Sequence, residues 1–323
     1  MEYKQFTGQS LNKHNKNKNI VSNANNMSSK VTSQQNAVST KYTDKIHVKA
    51  KKSLCLKLFA TNGAGLIRGK VNSFKMEVKA TGANLVMIQE THAQTKGKIA
   101  MDGFVVFEAI QNKKGGGTMC AVHEEFSPKL INEYSDDFEL LVVEMKTNTK
   151  DLRVITGYGP QENIDEEKRM PFFLALEKEI IEAKNIDRSI IIELDANSKL
   201  GKKYIPNDPH EMTPNGKILS GIVERYNLKV LNGSKKCSGT VTRKRVTKSN
   251  VEESVIDIIL VTSDIEDDLV SLVIDEDRKH VLTRITKTKN GVVTKESDHN
   301  TLIAEFDDKV DVIKKKKRLK CII

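Results

Sequence analysis

The chain has 323 residues, of which 38% are hydrophobic and 30% charged, with a formal net charge of +10. No apolar run approaches the roughly 18 residues needed to cross a bilayer, and the polar N-terminus lacks the apolar stretch of a secretory signal, so neither a membrane enzyme nor a secreted one is expected. Cys55, Cys120, Cys237 and Cys321 lie far apart with no CxxC pair, which argues against a disulfide framework or a zinc site.

In chain order, residues 1–52 carry ten lysines against two acids and are otherwise dominated by Asn, Ser, Gln and Thr. Such a segment cannot bury enough apolar surface to offset its ordering entropy, and it reads as a disordered basic tail. Residues 54–60 read as a strand ending in the turn Asn62-Gly63-Ala64-Gly65, and 68–81 as a helix with Val71, Phe74 and Val78 at helical spacing. A buried strand follows at 85–89. Residues 104–109 and 118–123 form a strand pair around the glycine-rich stretch Lys113-Lys114-Gly115-Gly116-Gly117, and 139–146 and 152–158 form another. The segment 166–184 is an amphipathic helix with Phe173, Leu176, Ile180 and Ile181 on its apolar face. A strand at 189–194, a helix at 215–226, and strands at 229–231, 255–261 and 302–306 complete the body. Residues 307–323 form a second tail, with seven basic residues against three acids. Its run of lysines and Arg318 reads as a nuclear import signal or a non-specific nucleic-acid contact, so a nuclear location is expected. The body, 53–306, carries a net charge near −2, so the basicity belongs to the tails. Many strands with a few intervening helices predict one layered α/β domain.

The polar residues fall at strand ends. Glu90 follows Leu-Val-Met-Ile-Gln, Asp195 and Asn197 follow Ile-Ile-Ile-Glu-Leu, Tyr158 ends Arg-Val-Ile-Thr-Gly, Asp257 interrupts Val-Ile-Asp-Ile-Ile-Leu, and Ser297-Asp298-His299-Asn300 precedes the last strand. An acid in an apolar strand is costly unless it is paired or bound to a cation. Converging on one face, these groups would supply hard oxygen ligands for Mg²⁺, an imidazole, and carboxylates to orient it.

The ordered set Asn62, Gln89-Glu90-Thr91-His92, Gly157-Tyr158-Gly159-Pro160, Leu194-Asp195-Ala196-Asn197, Ser254-Val255-Ile256-Asp257 and Ser297-Asp298-His299-Asn300 resembles the endonuclease/exonuclease/phosphatase superfamily over residues 54–306. That superfamily includes DNase I, abasic-site endonucleases, inositol polyphosphate 5-phosphatases and the endonuclease domains of LINE-type (non-LTR) retrotransposons. The resemblance implies a four-layer α/β sandwich, two packed sheets flanked by helices, with the active site where strand ends meet. It implies metal-dependent hydrolysis of DNA phosphodiesters, with Mg²⁺ or Mn²⁺ as cofactor and no small-molecule cofactor. In that reading Glu90, with Asn62, holds the metal and Asp298 adds an acid beside it. Asp195 orients or activates the attacking water, Asn197 positions water and phosphate, and Tyr158 donates to the phosphate. His299 contacts the scissile phosphate while Asp257 orients its ring, so these two residues should touch. Ser297 supports the loop. Arg243-Lys244-Arg245 resembles a hairpin that leans on DNA, and Lys113 and Lys114 are further candidates for phosphate contact.

There are departures from the family pattern. Ala64 stands where many relatives carry Asp or Asn. Ser254 stands where abasic-site enzymes commonly place an aromatic residue, and the chain has no Trp. These features favour a retrotransposon-type nicking endonuclease, leaving a 3′ hydroxyl for a reverse transcriptase domain encoded elsewhere, over abasic-site repair or small-phosphoester hydrolysis. A decayed copy that binds nucleic acid without cutting is the remaining alternative.

Overall fold

The computed structural model describes residues 53–312 except Arg68, 111–115, Lys248 and 289–290, and describes only the backbone at Lys287 and Thr288. The two tails expected at 1–52 and along the lysine run, together with Lys113 and Lys114, lie outside the described residues.

Side-chain alternation sets the layers, because successive residues of a strand point to opposite faces. In β1 (Ser53–Asn62), Leu56, Leu58 and Ala60 enter one core cluster while Phe59 enters another. β1 pairs in parallel with β2 (Leu85–Gln89) and antiparallel with the last strand, β17 (Leu302–Asp311). The sheet of seven strands runs β10-β14-β17-β1-β2-β4-β3, with β3 at Phe104–Ala109, β4 at Thr118–His123, β10 at Cys237–Ser238 and β14 at Leu269–Ile274. The sheet of six runs β5-β6-β7-β8-β13-β9, with β5 at Lys129–Tyr134, β6 at Glu139–Lys146, β7 at Asp151–Tyr158, β8 at Ser189–Asp195, β9 at Lys229–Val230 and β13 at Asp257–Val261.

Between the sheets lie Leu58, Met87, Cys120 and Val122 from the first and Leu141, Val154, Ile191 and Ile259 from the second. The outer face of the six-stranded sheet is covered by α2 (Glu166–Asn185) and α3 (Pro214–Arg225), through Phe172, Leu176, Ile180, Leu219 and Ile222. α1 (Val71–Thr81) covers the outer face of the other sheet with Phe74 and Val78, and ends at Gly82, whose φ of 69° permits the left-handed cap. The result is the expected four-layer α/β sandwich. Each buried Leu, Ile or Phe contributes about 1.5–3 kcal/mol to holding it together.

The structure corrects several sequence expectations. Ile181 is 40% exposed, and the buried stripe of α2 runs through Phe172, Phe173, Leu176, Ile180 and Ala183. Among the described residues, α1 begins at Val71, because Gly69 takes a φ of 100° and Lys70 serves as N-cap. β13 starts at Asp257, two residues later than its apolar run, and Leu231 opens a 3₁₀ turn. β17 continues five residues past Phe306, where Lys309, Val310 and Asp311 pair with Cys55, Leu54 and Ser53, so the ordered body takes in the first part of the expected tail. Two hairpins also emerge: β11 (Arg243–Val246) with β12 (Val251–Ser254), and β15 (Thr283–Thr288) with β16 (Gly291–Glu296).

Register brings the polar strand ends to one edge. Asn62 pairs with Gln89, Tyr158 with both Glu139 and Asp195, and Asp195 with Asp257.

Candidate active site

Asp195 and Asp257 face each other across the β8–β13 ladder, both buried. Two carboxyls so placed repel, and a cation must offset them. His299 supplies it. Its Nδ1 lies 3.0 Å from both carboxylate oxygens of Asp257, and its Nε2 lies 3.9 Å from Asp195 Oδ2. Burial opposes the imidazolium, but Asp257, with Asp195 and Asp298 beyond it, lifts His299 to about 9. Burial and then Asp257 push Asp195 up to about 7, against the pull of His299 and of the Asn62 amide. That amide donates from Nδ2 to Asp195 Oδ2 at 2.8 Å, while Asn62 Oδ1 accepts the Ala64 N–H at 2.8 Å. Asn62 therefore joins the turn that ends β1 to the carboxyl that ends β8.

The surrounding loops hold this chain of contacts in place. Ser297 Oγ donates to the Asn62 carbonyl at 2.7 Å and accepts the His299 N–H at 3.2 Å. Asn197 takes a φ of 43°, a left-handed conformation that Asn tolerates, and donates from Nδ2 to the Gly159 carbonyl at 2.9 Å. Gly159 must be glycine, because a Cβ there would lie 2.5 Å from the Ala196 carbonyl oxygen. This close approach sets Tyr158 beside Asp195. Burial, with Asp195 and Glu90 nearby, pushes the Tyr158 phenol up, so it remains a neutral donor.

Glu90 leaves β2 with a φ of 49°, an uncommon backbone for a non-glycine residue. Its side chain is 27% exposed, with His92 Nε2 3.7 Å away. Glu90, Tyr158, Asp195, Asn197, Asp298 and His299 all line one cavity of about 850 Å³. Burial would raise Asp298, but His299 and Arg243 hold it below the usual carboxylate range. Arg243 grips Asp298 Oδ2 through Nε at 3.0 Å and Nη2 at 2.9 Å.

Acids outnumber bases along this cavity, where Glu162, Glu252 and Glu253 join Glu90, Asp195 and Asp298. Such a surface repels a phosphate unless a cation intervenes. Glu90 and Asp298, both on the cavity wall, are hard oxygen donors of the kind Mg²⁺ takes. This donor set fits a divalent ion. The tighter group Asp195, Asp257 and His299, with ligand atoms within 4.8 Å of one another, is already committed to the Asp257–His299 hydrogen bond.

The structure thus brings together Asn62, Glu90, Tyr158, Asp195, Asn197, Asp257, Asp298 and His299. Arg243-Lys244-Arg245, expected as a hairpin that leans on DNA, forms strand β11 of a hairpin beside the cavity, with acids near its cations. Arg243 is bound to Asp298, Lys244 pairs with Glu253 at 2.7 Å, and Arg245 stands opposite Glu252 in the ladder.

Three residues of the site escaped sequence reasoning. Thr242 is buried, and its Oγ1 accepts the N–H groups of Ile256 and Asp257 at 2.9 and 3.0 Å, clipping the hairpin to the start of β13. Lys70 is buried beneath the Asn62 turn, donating to the carbonyls of Gly63 at 2.9 Å and Ala64 at 3.3 Å. Glu193 lies two residues below Asp195, accepting from Gln89 at 2.6 Å and Thr156 at 3.0 Å. Of these, Glu193 alone carried a signal, as a lone acid inside an isoleucine run.

No protein-family model matches the sequence, and no curated protein matches it. Solved structures do. The endonuclease domain of TRAS1, a telomere-specific non-LTR retrotransposon, is 17% identical with a TM-score of 0.52, the match covering 78% of this chain and 98% of that one. A 3′-5′ exonuclease from Neisseria meningitidis is 16% identical with a TM-score of 0.58, covering 78% and 100%. An AP endonuclease from Leishmania major is 13% identical with a TM-score of 0.57, covering 78% and 87%. The fold is that of the endonuclease/exonuclease/phosphatase, or DNase I-like, proteins.

Proposed function

We propose that this chain is a metal-dependent phosphodiesterase that nicks DNA. One observation carries the reading: a buried run of contacts, Asp257–His299–Asp195–Asn62, opens into an acidic cavity at Glu90. A phosphodiester bound there would meet the imidazolium of His299, which its raised pKa keeps protonated at neutral pH and able to donate to a phosphate oxygen. The neutral Tyr158 phenol is a second donor. Asp195, poised near 7, is matched to accept a proton from an attacking water, since a general base works best near the operating pH. Asn197 would orient that water. Asp257 accepts from the Nδ1–H of His299 and holds the ring toward Asp195. A divalent cation held by Glu90 and Asp298 would supply Lewis-acid stabilisation of charge on the phosphate and the leaving oxygen.

Ser254 and the TRAS1 likeness favour the retrotransposon-type reading, in which the nick leaves a 3′ hydroxyl to prime a reverse transcriptase encoded elsewhere. Nuclear localisation belongs to the same proposal. The test is conversion of supercoiled plasmid to open circle, run with Mg²⁺, with EDTA, and with His299→Ala. Nicking confined to metal and intact His299 supports the reading, and mapped nicks without abasic-site preference support its retrotransposon form. Nicking that persists in EDTA, or its absence from folded protein, overturns it.

A further inference from the structure

Among the described residues, Arg243 is the cation of the β11–β12 hairpin that lines the cavity, and Asp298 matches it, yet two cations of the other hairpin have no such acid. Arg284 and Lys295 stand directly opposite each other in the β15–β16 ladder, on the same face of the ribbon. Like charges at such positions destabilise a sheet. Neither has an ion-pair or hydrogen-bonded side-chain partner among the described residues. The Arg284 side chain lies across the backbone of Gly69, where a Cβ would be 3.4 Å from its Cγ and 3.6 Å from its Nε. The next residue, Lys70, is buried under the Asn62 turn. Burial, then Lys295 and Arg284, depress Lys70 to about 8, while Asp298 and Glu90 favour its charged form. Lys70 therefore feels both cations of the ribbon on one side and, on the other, Asp298 and Glu90, two of the acids that line the cavity. At its C-terminal end the ribbon leads, through Ser297, into Asp298 and His299.

A surface that accepts this repulsion is suited to an anion. Building on the phosphodiesterase reading, we propose that Arg284 and Lys295 form a subsite for a DNA backbone phosphate flanking the scissile one, on the Glu90–Asp298 side. Acids outnumber bases along the cavity, whose His299 and metal would serve the scissile phosphate alone, so this pair supplies the grip on a flanking linkage that sets the strand in register. Arg284 offers a planar fork and Lys295 a mobile point charge, a combination suited to phosphate oxygens. The grip is on the backbone and carries no base preference.

The test is a coupling cycle on binding. Short duplexes carrying one neutral methylphosphonate, walked across every linkage in turn, are titrated by fluorescence anisotropy against the full chain and against Arg284→Ala, Lys295→Ala and Lys295→Glu. For the unmodified chain, one linkage should weaken binding by about tenfold when neutralised. In Arg284→Ala and Lys295→Ala that same substitution should make little further difference, and the slope of log K against log salt should become shallower by about one for each phosphate that the protein no longer neutralises. Lys295→Glu separates binding from folding. It replaces a like-charge pair by an opposite-charge one, so it should melt no lower than the parent while binding DNA more weakly than Lys295→Ala.

Losses that add at every linkage, or an unchanged salt slope, overturn the subsite. Because the readout is affinity, the two proposals fail separately. Coupling in a protein that does not cut leaves the subsite standing and removes the nuclease reading. Cutting with additive losses does the reverse.

Discussion

Both carboxylate oxygens of Asp257 lie 3.0 Å from Nδ1 of His299, although 42 residues separate them. This bifurcated contact fixes which ring nitrogen faces the cavity and keeps the ring charged at neutral pH. Asp257→Asn removes the charge but keeps the shape. It should lower kcat by about 10²-fold or more, within the usual range for general acid–base groups. The alkaline limb of the kcat profile, set by the loss of the His299 proton near pH 9, should move toward neutral. Steady-state nicking across a pH series measures both effects, and an unmoved limb would detach the limb from His299.

Glu90 lines the cavity with its carboxylate 27% exposed and His92 Nε2 3.7 Å away. Glu90→Gln should raise the Mg²⁺ concentration for half-maximal nicking by at least tenfold while leaving the melting temperature nearly unchanged. Ligand and near-ligand changes typically weaken metal binding by about 10–100-fold. A metal titration of the purified variant decides it, and an unchanged midpoint would remove Glu90 from the metal.

Thr242→Val tests the clip at the base of the β11–β12 hairpin. Two buried N–H groups, of Ile256 and Asp257, would lose their acceptor. Each unsatisfied group costs about 1–3 kcal/mol, and the second of them starts the strand that presents the Asp257 carboxylate. Urea unfolding should show a loss of that order, and kcat should fall more than KM changes.

Glu193 gives the fold a pH dependence of its own. Burial first, and then Asp257, raise it well above the ordinary glutamate value, against the hydrogen bonds from Gln89 and Thr156. A carboxyl whose folded pKa exceeds its unfolded one binds more protons in the native state. Stability is therefore full below the unfolded pKa and falls as pH rises toward the folded one, by up to about 1.4 kcal/mol per pH unit. Glu193→Gln should abolish that component. The variant should gain stability relative to the parent at pH 8 and lose the advantage near pH 4. Denaturant midpoints at several pH values measure it, and parallel curves would refute it.

Much of this architecture was legible in the chain because apolar runs that end in acids announce both a buried strand and what its end presents. β2 into Glu90, β8 into Asp195 and β13 from Asp257 are of this kind, and their polar ends meet at the site. The hairpin β15–β16 was illegible, since Thr, Lys and Val exposed on both faces show no alternation. β5 and β14 lie near sheet edges, where burial is incomplete and the pattern weakens. Ile181 misled because the buried stripe of α2 passes from Leu176 through Ile180 to Ala183, which leaves Ile181 on the flank of the stripe and 40% exposed. Thr242 and Lys70 act through backbone groups of other segments, a role that leaves no mark on local composition.

Ser53 and Asp311 are register partners at the end of β1 and β17 away from Asn62. The first and last strands of the described body thus lie side by side, and between them they carry the Asn62 turn and adjoin the His299 loop. Asn62 and His299 cannot come together in the site until two strands some 250 residues apart have paired, a closure that slows folding. It also means that the two ends can be bridged by a short linker and the chain reopened at an exposed turn elsewhere, with β1 and β17 then made consecutively. Such a circular permutant should reach the same site by a more local and faster route.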